Sequence, residues 1–470
     1  MQPIKKAINL PVFEPLRELA DSGNFRIYIV GGFVRDLILQ RECKDVDIVV
    51  EGSGTDIARA FAEKTGAGEI VVYENFRTAM VRTGDYVFEF VGARKESYRR
   101  DSRKPIVEEG TVADDQLRRD FTINAMSISL NPQDFGELID PFGGMEDLEN
   151  GIIRTPRKPS ETFIDDPLRM MRAIRFASQL TFSIEANTWA AIEDCSERIA
   201  IISQERITEE FNKIVLSPKP SVGLSMLFDA GLLIKFFPEM VELYGVDTIQ
   251  GKSHKDNFYH TLKVLDNLAQ LTDKLYLRWC AILHDIAKPA TKRFDPKVGW
   301  TFHGHEDKGS RMVPVIFKNL KLPLDAKMKY VQKLVRLHLR PIALVEDHVT
   351  DSAIRRLIVD AGDDLEDLMK LCRADITTRD SNKVARYLYN FDIVEKKIEE
   401  VEERDHLRNW QPPVDGKLIM EYFRIPPSRV VGEIKNAVRE AILEGEIPNE
   451  AGAAFEYMKN IGSKLLNQEP

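Results

Sequence analysis

The stretch IYIVGGFVRDLILQRECKDVDIVVEG, residues 27–52, most narrowly limits what this chain can fold into. An apolar run with strand character stops at Gly31 and Gly32. Helical spacing follows over Phe33–Gln40, and a second strand over Val46–Val50 is entered through the pair Asp45 and Asp47. Side chains two apart on a strand share a face. These carboxylates therefore point the same way and repel unless a cation lies between them. Mg²⁺ suits that place because it takes carboxylates together with substrate phosphate oxygens. Two such ions roughly 3.5–4 Å apart clamp an in-line displacement at phosphorus. Glycines without Cβ let a phosphate approach backbone N–H groups, and the next helix start adds positive potential. The spacing is neither a P-loop nor G-x-G-x-x-G. Read alone, it also fits a tight turn before a solvated strand. Glu89, in YVFEFVGAR, interrupts an alternating aromatic strand and is the expected third carboxylate.

Strand signals continue through EIVVYENFRTAMVRTGDYVFEFVGAR and fade after DPFGGMEDLENGIIRTP, where a 3.6-residue period takes over to the C-terminus. At 470 residues the chain is too long for one core. The expected division is 1–150, an α/β head; 151–240, a helical neck; 241–400, a histidine-bearing helical domain; and 401–470, a helical tail set off by prolines at 412–413 and 426–427. No apolar run approaches the roughly 20 residues that span a bilayer, and the start lacks a signal-peptide core. A cytoplasmic protein without a membrane partner is expected. Its four cysteines lie far apart, which argues against a disulfide framework. A net charge of -9 argues against a general nucleic-acid coat but leaves room for a local basic groove. Ala93–Lys104, ARKESYRRDSRK, is one candidate. All eight histidines lie beyond residue 250, so the head works without histidine.

IVGGFVRDLIL followed by KDVDIVV resembles the class II tRNA nucleotidyltransferase and poly(A) polymerase family. DDQLRRDFTINAMSI, LIDPFGGMEDL, DDPLRMMRAIRF and SQERITEEFNKI follow in the family's order. The resemblance implies an α+β fold: a polymerase-β-like nucleotidyltransferase head, with a small mixed sheet and helices, followed by a long all-α body that includes an HD domain. It implies catalytic Asp45, Asp47 and Glu89, with Mg²⁺ at Asp45 and Asp47. It also implies nucleotide contacts from Gly31, Gly32, Arg35, Arg118, Arg119, Asp120 and Asn124, with Arg119 on phosphate. The partners implied are tRNA, ATP and CTP.

Asp166, Arg169, Arg172 and Arg175 are spaced three apart and form a drifting stripe on one helix. A carboxylate accepts and a guanidinium donates. Cytosine and adenine both present an exocyclic amine beside an unprotonated ring nitrogen, and uracil and guanine present the reverse. Asp166 with Arg169 could thus accept C and A without a template, the role the family gives these positions; it also has Arg172 and Arg175 touch the nucleotide. Where the family has Glu, this chain has the shorter Asp165. The Arg94–Ala113 segment stands where relatives that add A keep a flexible loop and CC-adding relatives lack one. Addition of CCA is the expected activity, with A addition or poly(A) synthesis as the alternative.

YHTLKVL, AILHDIAKP, FHGHEDKGS, LVRLHLRP and LCRADITT resemble the HD superfamily of metal phosphohydrolases. The resemblance makes His260, His284, Asp285 and Asp375 core ligands, and His305 and His338 the extra ligands of two-metal members. Imidazole with carboxylate suits Mn, Ni, Fe or Zn. This leaves a second reading, an HD phosphohydrolase whose head only binds RNA, and a third, a non-catalytic RNA-binding protein.

Overall fold

A computed structural model describes residues 8–22, 25–67, 69–73, 77–99, 102–346, 350–378, 380–405 and 410–466, with side chains left out at 96–107 and 345–346. It divides into two compact units, Met1–Pro238 and Glu239–Pro470.

The first unit opens with α1 (Glu14–Asp21), β1 (Arg26–Val30), α2 (Gly32–Ile38), β2 (Asp45–Glu51) and α3 (Gly54–Thr65). Ser53 caps α3 by accepting the Asp56 N–H at 3.3 Å, and left-handed Gly66 ends it. Next come β3 (Ile70–Tyr73), β4 (Thr78–Thr83) and β5 (Tyr86–Gly92), then a separate hairpin of β6 (Arg94–Arg99) and β7 (Ser102–Glu109). The segment expected to be a flexible loop is therefore paired backbone, with Arg94 opposite Glu109 and Lys95 opposite Glu108. Arg100 and Asp101 of the basic stretch lie outside the described residues. α4 (Val112–Leu117) starts on a reciprocal capping box between Thr111 and Asp114. β8 (Ser127–Ser129) and β9 (Leu138–Ile139) complete a seven-stranded sheet of order β3-β4-β5-β2-β1-β8-β9, in which β2 and β5 run parallel.

Register decides what each face does. Val46, Ile48, Val50, Phe88 and Phe90 point one way and are buried. Phe13 and Phe61 pack there, with Phe61–Phe88 ring centroids 4.9 Å apart and Phe13–Phe88 5.8 Å. On the opposite face, direct partners line up as Met80, Glu89, Asp47, Val30, Ser127 and Ile139. A one-residue slip would move both acids into the aromatic core, so the buried face fixes where the carboxylates go. The unit continues through α5 (Pro159–Asp165), α6 (Leu168–Leu180) and α7 (Gln204–Val215).

The second unit is mostly helical: α8 (Asn257–Ala269), α9 (Leu275–Leu283), α10 (His305–Asn319), α11 (Ala326–Leu337), α12 (Leu339–Glu346), α13 (Asp351–Ala361), α14 (Leu365–Ala374) and α15 (Ser381–Asp405). Fully buried Trp279 packs at 6.1 Å from Phe317 in its core. Two short hairpins depart from the purely helical expectation. They pair β10 (Thr248–Ile249) with β11 (Lys252–Ser253), and β12 (Arg293–Asp295) with β13 (Gly299–Thr301). α16 (Gly416–Phe423), α17 (Arg429–Glu444) and α18 (Ala451–Leu466) close the chain around Ile419, Ile434, Val438 and Met458. Both proline pairs fall in connections, as their fixed φ favours.

Candidate active site and metal centre

Asp47 and Glu89 are direct partners on parallel strands, and Asp45 shares their face. Burial raises the Asp47 carboxyl, opposed by Arg119 and reinforced by Asp115 and Asp45. Glu89 is raised by partial burial and by Asp47. Mutually raised carboxylates on one face are a donor set that a divalent cation would relieve. The three do not converge on one point, however. The groups of three ligand atoms within 4.8 Å of one another, among the described residues, lie in the second unit. Asp47 Oδ2 and Arg119 Nη1 instead both crowd the backbone of Gly31.

That crowding explains Gly31. It has φ 74° and ψ -136°, a backbone essentially reserved for glycine. A Cβ there would lie 2.8 Å from both Arg119 Nη1 and Asp47 Oδ2. A Cβ on Gly32 would meet only Arg35 Nη2, at 3.7 Å. The two glycines therefore have different tasks, which their adjacency in sequence conceals.

Arg118 and Arg119 are held from behind by Asp115, a fully buried acid that the sequence reading missed. Arg119 Nε donates to Asp115 Oδ2 at 2.9 Å. Burial alone would raise the Asp115 carboxyl, but Arg119 and Arg118 hold it below the ordinary range. Asp115 sits four residues before Arg119 on α4, and that spacing was a usable signal.

A second polar chain joins the remaining residues. Arg35 is paired with Asp36 and donates to Asn124 Oδ1 at 2.8 Å; Asn124 Nδ2 donates to Asp120 Oδ1 at 3.1 Å. Asp120 Oδ2 accepts Arg172 Nε at 2.7 Å. Burial would raise Asp120, yet Arg172, Asn124 and Arg169 hold it well below the usual carboxylate range. Arg175 pairs with Glu210 of α7 at 2.8 Å, another partner not anticipated. Three guanidiniums, of Arg35, Arg172 and Arg175, lie 4.1–5.4 Å from the Phe176 ring centre. The arginine stripe is thus neutralised by acids outside its own helix.

Arg169 differs from these. Its Nη2 donates to the Arg118 carbonyl at 2.6 Å, while its Nη1 is buried and makes no hydrogen bond. A buried, unused donor is costly unless a ligand meets it. The carboxylate of Asp166, where α5 gives way to α6, accepts a 3.2 Å bond from the Leu168 N–H through Oδ1.

The second unit gathers all six expected ligands. Asp285 Oδ2 lies 3.2 Å from His284 Nε2 and 3.4 Å from His260 Nε2; its Oδ1 lies 3.2 Å from His305 Nε2 and 4.0 Å from His338 Nε2. Asp375 Oδ1 closes the first lobe at 3.0 Å from His260. The Nδ1 atoms of His284, His305 and His338 bond the carbonyls of Ala281, Phe302 and Val335 at 2.7–2.8 Å. A carbonyl only accepts, so Nδ1 carries the hydrogen and Nε2 is turned inward. His284 Nε2 is buried and, beyond its 3.2 Å approach to Asp285 Oδ2, has no hydrogen-bond partner among the described residues, which fits a metal ligand. Burial lowers His260, but Asp285 and Asp375 override it and lift its pKa to about 9; burial and His284 push His338 down to about 4. Sequence reasoning missed Lys288, whose ammonium lies 2.6 Å from Asp285 Oδ2, and Thr377, 2.9 Å from His260 Nδ1.

Residues 27–154 match the Poly A polymerase head domain, 181–243 the probable RNA and SrmB-binding site of polymerase A, and 257–380 the HD domain. An A-adding tRNA nucleotidyltransferase of Deinococcus radiodurans is 31% identical over 440 residues, 90% of this chain and 94% of the relative. A multifunctional CCA protein of Ectopseudomonas mendocina is 32% identical over 64% of this chain and 71% of its own. The Bacillus stearothermophilus CCA-adding enzyme solved in complex with CTP has the same fold, with a TM-score of 0.66 at 22% identity, covering 99% and 100% of the two chains. By the extent of these matches, the chain belongs to the tRNA nucleotidyltransferase and poly(A) polymerase family.

Proposed function

We propose that the chain is a template-independent nucleotidyltransferase that adds C and A, from CTP and ATP, to the 3′ end of tRNA. The observation that carries this is the buried Nη1 donor of Arg169, which makes no hydrogen bond among the described residues, three residues after Asp166, whose carboxylate is bonded by the Leu168 N–H. A fixed donor next to an acceptor suits the edge shared by cytosine and adenine. Asp45, Asp47 and Glu89 would hold Mg²⁺, which when bound neutralises charge at the reacting phosphate. Arg119 and Arg118, braced by Asp115, orient the triphosphate, and Arg35, Asn124, Asp120 and Arg172 keep the base-reading helix in step with the carboxylate strand. We read 1–150 as head, 151–240 as neck, 241–400 as HD-like domain and 401–470 as tail, in a cytoplasmic enzyme.

The test supplies Mg²⁺ and tRNA lacking its 3′ CCA, with CTP and ATP separately and together. Incorporation of both, abolished by Asp45→Ala with Asp47→Ala, is the expected result. Incorporation of A alone onto tRNA ending in CC supports the A-adding reading, favoured by the Deinococcus radiodurans relative. Unselective A addition to any RNA supports poly(A) synthesis.

The six-ligand site supports a second activity, a metal phosphohydrolase acting on phosphate esters with Mn, Ni, Fe or Zn. The inward Nε2 atoms carry this reading. Hydrolysis of 2′,3′-cyclic AMP that survives Asp45→Ala and is lost in His284→Ala with Asp285→Ala would establish it.

A further inference from the structure

Asp166 stands in a break between two helices. α5 ends at Asp165 and α6 begins at Leu168. A proline disfavours the helical region for the residue before it, and Asp166, ahead of Pro167, has φ -140° and ψ 100°. Its N–H donates to the Thr162 carbonyl at 3.3 Å, and its carbonyl accepts the Arg169 N–H at 3.0 Å. The joint is electrostatically unfavourable. The last carbonyls of a helix carry partial negative charge, and here the carboxylates of Asp165 and Asp166 follow directly on them. Such an end frays unless its carbonyls and its acids find donors.

Two arginines from outside the joint supply them. Arg157, just before α5, pairs through Nη2 with Asp165 Oδ2, and both side chains are half-buried. The shorter acid at position 165 thereby has a partner of its own. Arg198, in the 3₁₀ turn Ser196–Ile201, donates through Nη2 to the Ile164 carbonyl at 3.0 Å. Arg198 thus fixes the peptide plane that enters Asp165, and Arg157 fixes the Asp165 side chain. Asp166 is the next residue. Arg157 is itself anchored. The Thr155 hydroxyl donates to the Arg157 carbonyl at 2.6 Å, and the Arg154 carbonyl accepts the Thr122 N–H at 2.8 Å. Thr122 opens the turn that carries Asn124, so the brace reaches the polar chain of Arg35, Asn124 and Asp120.

We propose that Arg157 and Arg198 are positioning residues for nucleotide selection, which hold the joint from which Asp166 meets the base. This rests on the reading of Asp166 and Arg169 as the base-selecting pair. A carboxylate that swings away takes a hydrogen bond from cytosine and adenine. It takes none from uracil and guanine, whose edges present an acceptor where the amine would be. Selectivity therefore falls while transfer continues.

The test uses the full chain with Mg²⁺. It compares kcat/KM for CTP against UTP on tRNA lacking its 3′ CCA, and for ATP against GTP on tRNA ending in CC; the second pair decides alone if the enzyme adds only A. In Arg157→Ala and in Arg198→Ala we expect selectivity to fall at least about fivefold, chiefly through a raised KM for the correct nucleotide. Arg157→Lys, which keeps the charge, should restore it to within about threefold of wild type. A merely structural loss lowers all four nucleotides together and leaves the ratios unchanged. If Arg157→Ala does not fold, Arg157→Gln takes its place with the same expectation. Ratios within about twofold of wild type at both positions overturn the inference and leave Asp166 and Arg169 as the readers. A wild-type protein that takes UTP and GTP as readily as CTP and ATP overturns that reading and the inference with it.

Discussion

Replacing the adjacent glycines one at a time by alanine should give opposite results. Gly31→Ala places a β-carbon where φ is 74°, a strain worth about 1–3 kcal/mol. At roughly 2–4 °C per kcal/mol for a unit of this size, the melting temperature should fall by roughly 2–12 °C. The new carbon would also sit 2.8 Å from Arg119 Nη1 and Asp47 Oδ2. Both are ends of side chains and will yield, so the steric clash is relieved by displacing two residues of the candidate site. A displacement of about 1 Å commonly costs on the order of 10²-fold in rate. Gly32→Ala meets only ordinary contact with Arg35, at 3.7 Å, and lies in the first turn of α2. There alanine is neutral or stabilises by up to about 1 kcal/mol. If Gly32 is where the triphosphate approaches the backbone, its variant melts no lower than the wild type yet shows a raised KM for nucleotide. Thermal melts and CTP/ATP incorporation on the two variants decide the matter. A Gly31→Ala protein with wild-type melting and activity within about threefold would refute the close-packing argument. So would a Gly32→Ala protein less stable than Gly31→Ala.

Asp115→Asn removes the charge behind Arg118 and Arg119. It should cost about 1–3 kcal/mol in denaturant unfolding and raise the KM for both nucleotides, and unchanged values in both would contradict the bracing role. Asp120 titrates below the ordinary 3.8 when folded, so on acidification the unfolded chain binds the proton first. Its stabilisation is complete above pH 3.8 and lost as pH falls below it; Asp120→Asn should flatten that acid slope in unfolding curves taken across the range. Arg169→Ala should leave transfer chemistry in place but reduce discrimination of CTP and ATP against UTP and GTP, by about 1–3 kcal/mol if the pair acts as a bidentate reader. Single-nucleotide incorporation measures it, and transfer that persists with unchanged discrimination would count against the assignment. Metal-stripped protein should gain about 2.7 kcal/mol when Mn²⁺ is supplied at 100-fold over its Kd. The gain should vanish in His284→Ala, and an equal shift in the variant would place binding elsewhere.

Legibility in the sequence followed element length and the locality of each interaction. β1, β2 and β5 are long enough to show alternation, so Asp45, Asp47 and Glu89 could be set on one face before any register was known. β8 and β9, at three and two residues, are too short for a period to show, and they exist because β1 has a free edge for Ser127–Ser129 to pair with. The hairpins around Trp300 escaped notice for the same reason. The HD ligands were readable as residue types, but their inward aim was not, since it depends on carbonyls of Ala281, Phe302 and Val335. Those carbonyls lie three residues back on the chain and are invisible as side chains. Asp115 and Glu210 escaped because an acid among charged neighbours looks like solvated surface until burial is known.

The two sites treat arginine and histidine by one physical rule. A group that must meet a ligand is fixed through its other end. In the first unit, Arg172 and Arg175 are occupied by Asp120 and Glu210, so they set the field and shape of the cleft around Phe176 without being free to choose a base. Arg169 is tied by one nitrogen to a main-chain carbonyl, which cannot donate and so cannot compete for the acceptor edge of a base, and its other nitrogen stays available. In the second unit each oriented imidazole gives Nδ1–H to a carbonyl and keeps Nε2 for the cavity. Main-chain carbonyls serve both cases because they accept, carry no net charge and do not titrate, so the tether fixes the aim of the free nitrogen without placing a charge beside it. A carboxylate in the same place would hold the group as firmly but would also raise its pKa, as Asp285 and Asp375 do for His260.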